Sequence, residues 1–398
     1  MTTGWEQRTL GEVIETVGTV DPTRAPDTPF KYVDVSSVSN TSFEIGDVQE
    51  LQGRDAPSRA RRSIRTGDVL FATIRPTLKR IAIVPDSLNN QVCSTGYFVF
   101  RTKPLLNERY LFYYLMTPAF MSEMEKIQTG ASYPAVNDSQ VRGQTISFPP
   151  LAEQKRIVAI LDEAFEGIAK ATANAERNLA NARELFSSAL DKRFSLPPSH
   201  WQKSSLGTVC AFSGGSQPPK SEFSKTKKLG HVRLIQIRDY KSDNHVVYVN
   251  SKSVSKFCDE TDVMIGRYGP PLFQILRGIE GAYNVALMKA TPDQAILSKE
   301  YLYMFLKNSS ILSHIVKHSD RAAGQTGIKR EVLEAYEICF PDLNEQSNVV
   351  SELSSLEQLS RQLEQTYERK LKELSALKAA LLHKAFSGQL TGKEAIAA

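Results

Sequence analysis

Metal-ligand spacings, nucleotide-binding loops and long apolar runs are all missing from this 398-residue chain. No stretch of about eighteen consecutive apolar residues occurs, so no membrane span is expected. The four cysteines, Cys93, Cys210, Cys258 and Cys339, are widely spaced and form no CxxC pair. With no recognisable secretory leader, they are expected to be free thiols of a reduced, cytoplasmic chain without a structural zinc site. Neither GxGxxG nor GxxxxGKS/T is present, and Ser213-Gly214-Gly215-Ser216 lacks the lysine and helix of a phosphate loop. His314 and His318 stand four apart. Without HExxH or a third ligand nearby, they are expected to pack or to face solvent. No nucleophile elbow or acidic-basic nuclease cluster is present. These gaps favour recognition over catalysis: a protein that is no enzyme and holds no metal or cofactor of its own.

What is present is a repeat. Residues 151–195 carry apolar or small residues in steps of three and four, among them Ile157, Leu161, Phe165, Ile168, Leu179, Leu190 and Phe194. Residues 343–387 do the same with Val349, Leu353, Leu359, Leu371, Leu377, Leu382 and Phe386. Such a stripe predicts a long coiled-coil-like helix needing another helix as cover, and the two copies are the obvious covers for each other. The preceding segments repeat too. Trp5 and Leu10-Gly11 match Trp201 and Leu206-Gly207 at an offset of 196, Asp68-Val69 matches Asp262-Val263 at 194, and Phe148-Pro149 matches Phe340-Pro341 at 192. In both halves strand signals come first, then helical candidates at 108–126 and 300–312, then loops at 130–143 and 324–329.

The predicted fold is therefore α/β (α+β): two similar globular domains and a pair of long antiparallel helices, with an internal pseudo-two-fold repeat. The boundaries are a first domain over 1–150, a helix over 151–195, a second domain over 196–342 and a terminal helix over 343–398. At 1.5 Å per residue each helix is roughly 66 Å long. An antiparallel pair lets each domain sit beside the start of its own helix and the end of the other. A parallel pair is also compatible with the sequence.

Positive charge is concentrated in the globular parts. The chain carries a net charge of +5, yet Arg54 to Arg80 holds eight basic and two acidic residues and Lys220 to Lys241 holds seven and two. That distribution suits phosphate contact. Arginines suit guanine edges, whereas Asn and Gln suit adenine. The DNA-contact candidates are Arg59, Arg61, Arg62, Arg75 and Lys79 in the first domain, with Lys79 assigned to phosphate. In the second they are Lys227, Lys228, Arg233, Arg238 and Arg267, beside the Gly324-Gln325-Thr326-Gly327 loop. A solvated basic loop is the plain alternative for either cluster.

The chain resembles the specificity (S) subunit of Type I restriction-modification systems. The resemblance is carried by the paired Trp/Leu-Gly openings, by Gly67-Asp68-Val69-Leu70 with Arg75-Pro76, and by Asp262-Val263-Met264-Ile265 with Arg267-Tyr268-Gly269. Its most specific element is Phe148-Pro149-Pro150-Leu151-Ala152-Glu153-Gln154-Lys155-Arg156-Ile157, echoed by Phe340-Pro341-Asp342-Leu343-Asn344-Glu345-Gln346. It implies two target recognition domains, each reading half of a split, asymmetric site in double-stranded DNA. It also implies two methyltransferase (M) subunits that bind S-adenosylmethionine and methylate adenine, and restriction (R) subunits in the full complex, with no membrane partner. Pro149, Leu151, Gln154, Ile157, Pro341, Leu343 and Gln346 fall in the regions that contact the M subunits. The competing classes are a self-contained DNA-modifying enzyme and a helical scaffold that reads no DNA.

Overall fold

The computed structural model describes residues 4–322 and 325–391. The chain divides into two compact units, Met1–Ala175 with Arg369–Ala398, and Glu176–Glu368.

In the first unit one sheet is ordered Gln49–Gln52, Pro29–Val33, Gln91–Ser94, Ala60–Ile64, and a second Ile81–Ile83, Val69–Ala72, Tyr97–Phe100. Val69–Ala72 and Tyr97–Phe100 are buried at every position. That explains why they read as continuous apolar runs and not as an alternation. A short strand, Glu6–Thr9, pairs antiparallel with Thr145–Phe148, so the start of the domain is tied to the residues that enter the long helix.

The second unit repeats this plan. Its sheets run Tyr248–Asn250, His231–Ile235, Gly281–Tyr283, Phe257–Cys258, and Cys210–Gly214, Leu287–Pro292, Val263–Gly266, Gln274–Leu276. Gln202–Ser205 closes onto Glu337–Phe340 as its counterpart does. Each domain contains a single parallel strand pair among its described residues, and it falls at the same place: Tyr32 opposite Val92, and Leu234 opposite Ala282. The common topology includes that unusual feature.

The repeated Asp-Val motif has a structural cause. Asp68 is 2% exposed; its carboxylate accepts from the Arg65 N–H at 2.8 Å and takes two bonds from Arg101 at 2.9 and 2.7 Å. Asp262 accepts from the Asp259 N–H at 3.0 Å and is paired with Lys289 at 3.1 Å and Lys299 at 2.7 Å. In both domains a buried carboxylate closes the turn that launches the central strand, with different cations as counter-charge.

The helical candidate at 108–126 is broken into Glu108–Leu115 and Pro118–Ile127. Thr117 accepts from the Phe120 N–H and restarts the helix, and Pro118 cannot supply the donor that a continuous helix needs there. Asn308 makes the same break between Lys299–Leu306 and Ser309–Lys317. The region 130–143, expected as loop, contains the helix Asp138–Arg142 behind an Asn137/Gln140 capping box. Gly324 lies outside the described residues, and Gln325–Gly327 is a strand.

The long helices span Leu151–Ser195 and Leu343–Phe386. In the first unit Ile157 and Leu161 share a core with Leu382 and Ala385. In the second, Leu190 shares one with Val349 and Leu353, and the Ser360 hydroxyl donates to the Ala182 carbonyl at 2.6 Å. Rising numbers on one helix meet falling numbers on the other, so the pairing is antiparallel. Each helix ends on an aromatic plug in the other copy's domain. Phe194 meets Tyr301 and Phe305 at 5.5 and 5.3 Å, and Phe386 meets Tyr110 and Tyr114 at 4.9 and 5.7 Å. The seam is narrower than the apolar stripe: Leu359 and Leu377 are 46% and 48% exposed. One helix covers only a strip of its partner.

Candidate nucleic-acid interface

The basic run from Arg54 to Arg80 does not fold into one patch. Arg54 pairs with Asp27. Arg61 and Arg62 lie on the strand Ala60–Ile64; Arg61 is 3.5 Å from Asp21, and Arg62 makes two bonds to Asp138 at 3.0 and 2.9 Å. Arg59 is exposed at the head of that strand. Arg80 turns inward, donating to the carbonyls of Val35, Ser36 and Val38 at 3.3, 3.3 and 2.5 Å. Arg75 and Lys79 stand at the two ends of one tight loop.

That loop is held in an uncommon shape. Arg75 and Lys79 adopt left-handed backbone angles, with φ of 49° and 55°, on either side of the turn Pro76–Leu78. For residues with a side chain this costs about 1–2 kcal/mol each. A second loop offsets it: the Arg75 N–H donates to the Pro134 carbonyl at 2.7 Å, the Val136 N–H to the Thr73 carbonyl at 2.9 Å, and Ile74 bridges Ala135. Tyr133, 71% exposed, projects from this second loop, and the Arg75 guanidinium lies 4.8 Å from its ring centre. Gly130 is required here, since its φ is +103° and a Cβ would stand 2.9 Å from the Tyr133 carbonyl oxygen. The sequence points to the 129–133 loop for its small residues, without placing Tyr133 among the contact candidates. The available signal was an aromatic followed by proline in a loop of small residues.

In the second domain Lys227 and Lys228 are exposed on the loop before His231–Ile235. Arg233 is largely neutralised by Asp243 at 2.8 Å and Asp239 at 3.7 Å. Arg238 is exposed and shared between two cavities, one of about 1110 Å³ that also holds Gln217, Lys220, Phe223, Gln236 and Asn284, the other of about 590 Å³. Arg267 lies at the loop junction corresponding to Arg75. The Ile328 N–H donates to the Arg267 carbonyl at 3.3 Å, Tyr268 bridges Gly327, and the Arg267 guanidinium is 5.3 Å from the Tyr268 ring centre.

The remaining reactive side chains are structural. All four cysteines are buried free thiols. Burial pushes Cys93 and Cys210 up to about 12 and Cys258 to about 11, so they are protonated and poorly nucleophilic at neutral pH. The His314 and His318 rings are 4.4 Å apart and His314 packs on Tyr336 at 5.1 Å. Among the described residues no cluster of three or more His, Cys, Asp or Glu is placed to hold a metal. None of the described helices is long and apolar enough to cross a membrane.

Residues 2–176 and 198–373 match the family model described as Type I restriction modification DNA specificity domain. The chain belongs to this family. The two matched segments coincide with the two domains and the first part of each long helix. A solved chain from work on complex assembly and conformational transition of the type I R-M system superimposes with a TM-score of 0.82 at 30% identity, covering 98% of this chain and 99% of that one. The HsdS subunit from Thermoanaerobacter tengcongensis superimposes with a TM-score of 0.69, also at 30% identity, with 98% of each chain covered. The Type I restriction enzyme HindI specificity subunit of Haemophilus influenzae is 25% identical over 165 residues, 39% of this chain. That match spans 34% of the relative's length.

The repeated segment of Phe-Pro followed by Glu-Gln sits at the N-terminus of each long helix, and its glutamine works inside the domain. Gln154 and Gln346 are both 0% exposed. The Gln154 side chain accepts from the Asn107 N–H at 2.8 Å and donates to the Leu105 and Pro149 carbonyls, both at 2.9 Å. Gln346 does the same with Ser298, Ile296 and Pro341 at 2.9, 2.7 and 2.9 Å. Each amide clamps the long helix to the start of the short helix beneath it. Ile157 is a core residue, and Pro149 and Pro341 are buried. Of the seven residues expected to meet a partner subunit, Leu151 and Leu343 are the surface pair, 37% and 42% exposed at equivalent positions. Gln154, Ile157 and Gln346 have no free surface to offer, because their polar or apolar capacity is already used within the fold.

Proposed function

We propose that this chain is the DNA-reading subunit of a type I restriction-modification complex, acting in the cytoplasm. Each domain reads one half of a bipartite, asymmetric site, while methyltransferase and restriction subunits perform the chemistry. S-adenosylmethionine belongs to the methyltransferase partners, and this chain transfers no methyl group. One observation carries the reading: two domains that share the order of one four-stranded sheet, down to its parallel pair, with a further edge strand in the other sheet of the second domain, display unlike sets of cations on their loops. Equivalent scaffolds with unlike surfaces are what reading two different half-sites requires. Arg59, Arg75, Lys79, Lys227, Lys228, Arg238 and Arg267 are the proposed contacts. Arg61, Arg62 and Arg233, already bonded to carboxylates, are assigned to shaping the surface. Leu151, Leu343 and the uncovered faces around Leu359 and Leu377 are the proposed seats for methyltransferase subunits.

The test is to produce the chain with its methyltransferase partner in a host free of adenine methylation and to map methylated adenines by sequencing. A split asymmetric motif that vanishes without this chain is expected. A continuous motif, or methylation by the chain alone, contradicts the proposal. Removing seven residues from each long helix shortens it by about 10 Å, roughly three base-pair steps. The gap in the motif is expected to shrink while both half sequences persist.

A further inference from the structure

We infer that the arginine-tyrosine pair at the loop junction is the base-reading element of each domain, Arg75 with Tyr133 in one and Arg267 with Tyr268 in the other, and that each pair reads one guanine of its half-site. This rests on the function proposed above and extends it to named side chains.

The first reason is recurrence by different routes. Both guanidinium groups lie within cation–π range of a tyrosine, at 4.8 and 5.3 Å. In the first domain the ring comes from the opposite loop, whereas in the second it is the neighbour of the arginine. Inheritance of a packing contact would keep the ring at one position; what persists is the pairing. The second reason is charge. Among the described residues neither Arg75 nor Arg267 has a carboxylate partner, while Arg54, Arg61, Arg62 and Arg233 each have one. Their remaining bonds are to carbonyls, Arg75 to Ser132 at 3.3 Å and Arg267 to Val285 at 3.5 Å. These orient the group without neutralising it.

The third reason is strain. The first domain holds Arg75 and Lys79 in left-handed backbone where glycine would be relaxed, and such strain gathers at ligand clamps. A guanidinium restrained by a ring and a carbonyl presents its fork in one orientation. That fork matches O6 and N7 of guanine in the major groove, which a flexible ammonium cannot do. Lys79, at the far end of the same turn, is placed for the adjoining phosphate.

The experiment uses the full chain co-produced with its methyltransferase subunits, with methylated-adenine mapping as readout. Arg75→Lys and Tyr133→Ala are each expected to relax the same guanine in one half-site, losing about tenfold or more of the discrimination there. Arg267→Lys and Tyr268→Ala are expected to relax a guanine in the other half only. Tyr133→Phe keeps the ring and is expected to keep the motif. Because Tyr133 is mostly exposed, Tyr133→Ala should melt with the parent chain, so a changed motif at unchanged melting is an effect on reading. An unchanged motif, relaxation at a base other than guanine, or one variant relaxing both halves overturns the inference. A parent chain that directs no bipartite motif overturns the functional proposal itself, which the variants do not decide.

Discussion

A 3-10 turn follows the parallel strand in both domains, Val35–Ser37 in one and Ile237–Tyr240 in the other, and it is secured in unlike ways. In the first domain Asp34–Val38 is held by Arg80, which donates to three of its carbonyls, and by the Tyr97 hydroxyl, which donates to the Asp34 and Val35 carbonyls at 3.1 Å. In the second domain Gln236–Tyr240 keeps its capping box, but polar atoms are left over. Gln236 Nε2, Asp239 Oδ1, the Tyr240 hydroxyl and the neighbouring Arg233 Nε are buried without a hydrogen-bond partner. Gln236 also lines the large cavity beside Arg238. The shared fold fixes where the chain runs. The side chains on it decide whether a turn is a finished piece of core or a polar surface with capacity to spare.

The largest effects are expected where the two domains solve one problem with different partners. Asp68→Ala leaves Arg101 without its counter-charge, and Asp262→Ala does the same to Lys289, while Lys299 keeps Asp259 at 3.3 Å. Each is expected to cost about 3–5 kcal/mol in urea unfolding, the penalty for stranding a buried charge. A loss under about 1 kcal/mol in either would show that its turn does not rest on the carboxylate. Next come Gln154→Leu and Gln346→Leu, which each strand one N–H and two carbonyls. Losses of about 2–4 kcal/mol, equal in the two copies, are expected from the matched geometry. Unequal losses would reveal a difference that the distances do not.

A smaller, pH-dependent contrast concerns Asp239, whose carboxyl is pushed above its usual value first by burial, against the favourable hydrogen bond from Gln236 and the charge of Arg233. With the folded value raised above 3.8, the group favours the fold fully only below that pH, and the benefit is lost as pH rises through the raised value. Asp239→Asn is therefore expected to melt higher than the parent at pH 7, with the gap closing as pH falls toward 4. A gap that widens on acidification would reverse the sign and the argument. The smallest effect belongs to Arg183, exposed on the central helix and bonded to Glu368 at 2.9 Å. Arg183→Ala is expected to cost under about 1 kcal/mol, less still in high salt.

Much of this was legible in the linear chain because periodicity and duplication are one-dimensional. Three-and-four spacing predicts a helix wherever the stripe is long enough, and the run of offsets from 196 to 192 requires two copies of one unit. The breaks at Thr117-Pro118 and Asn308 were legible in principle, as proline and capping residues, but apolar spacing carries across them. The contact residues were the least legible. A run of arginines looks like one basic patch until Asp21, Asp27 and Asp138, distant in sequence, neutralise part of it.

The repeat, the long paired helices and the family resemblance follow from the order and spacing of side chains along the chain. Folding in three dimensions settles which cations are left without a carboxylate partner, that Gln154 and Gln346 clamp helix to domain, and that the Arg75 guanidinium lies over Tyr133. Those depend on which atoms from remote segments come within a few ångströms, and a hydrogen bond or an ion pair acts only at that range.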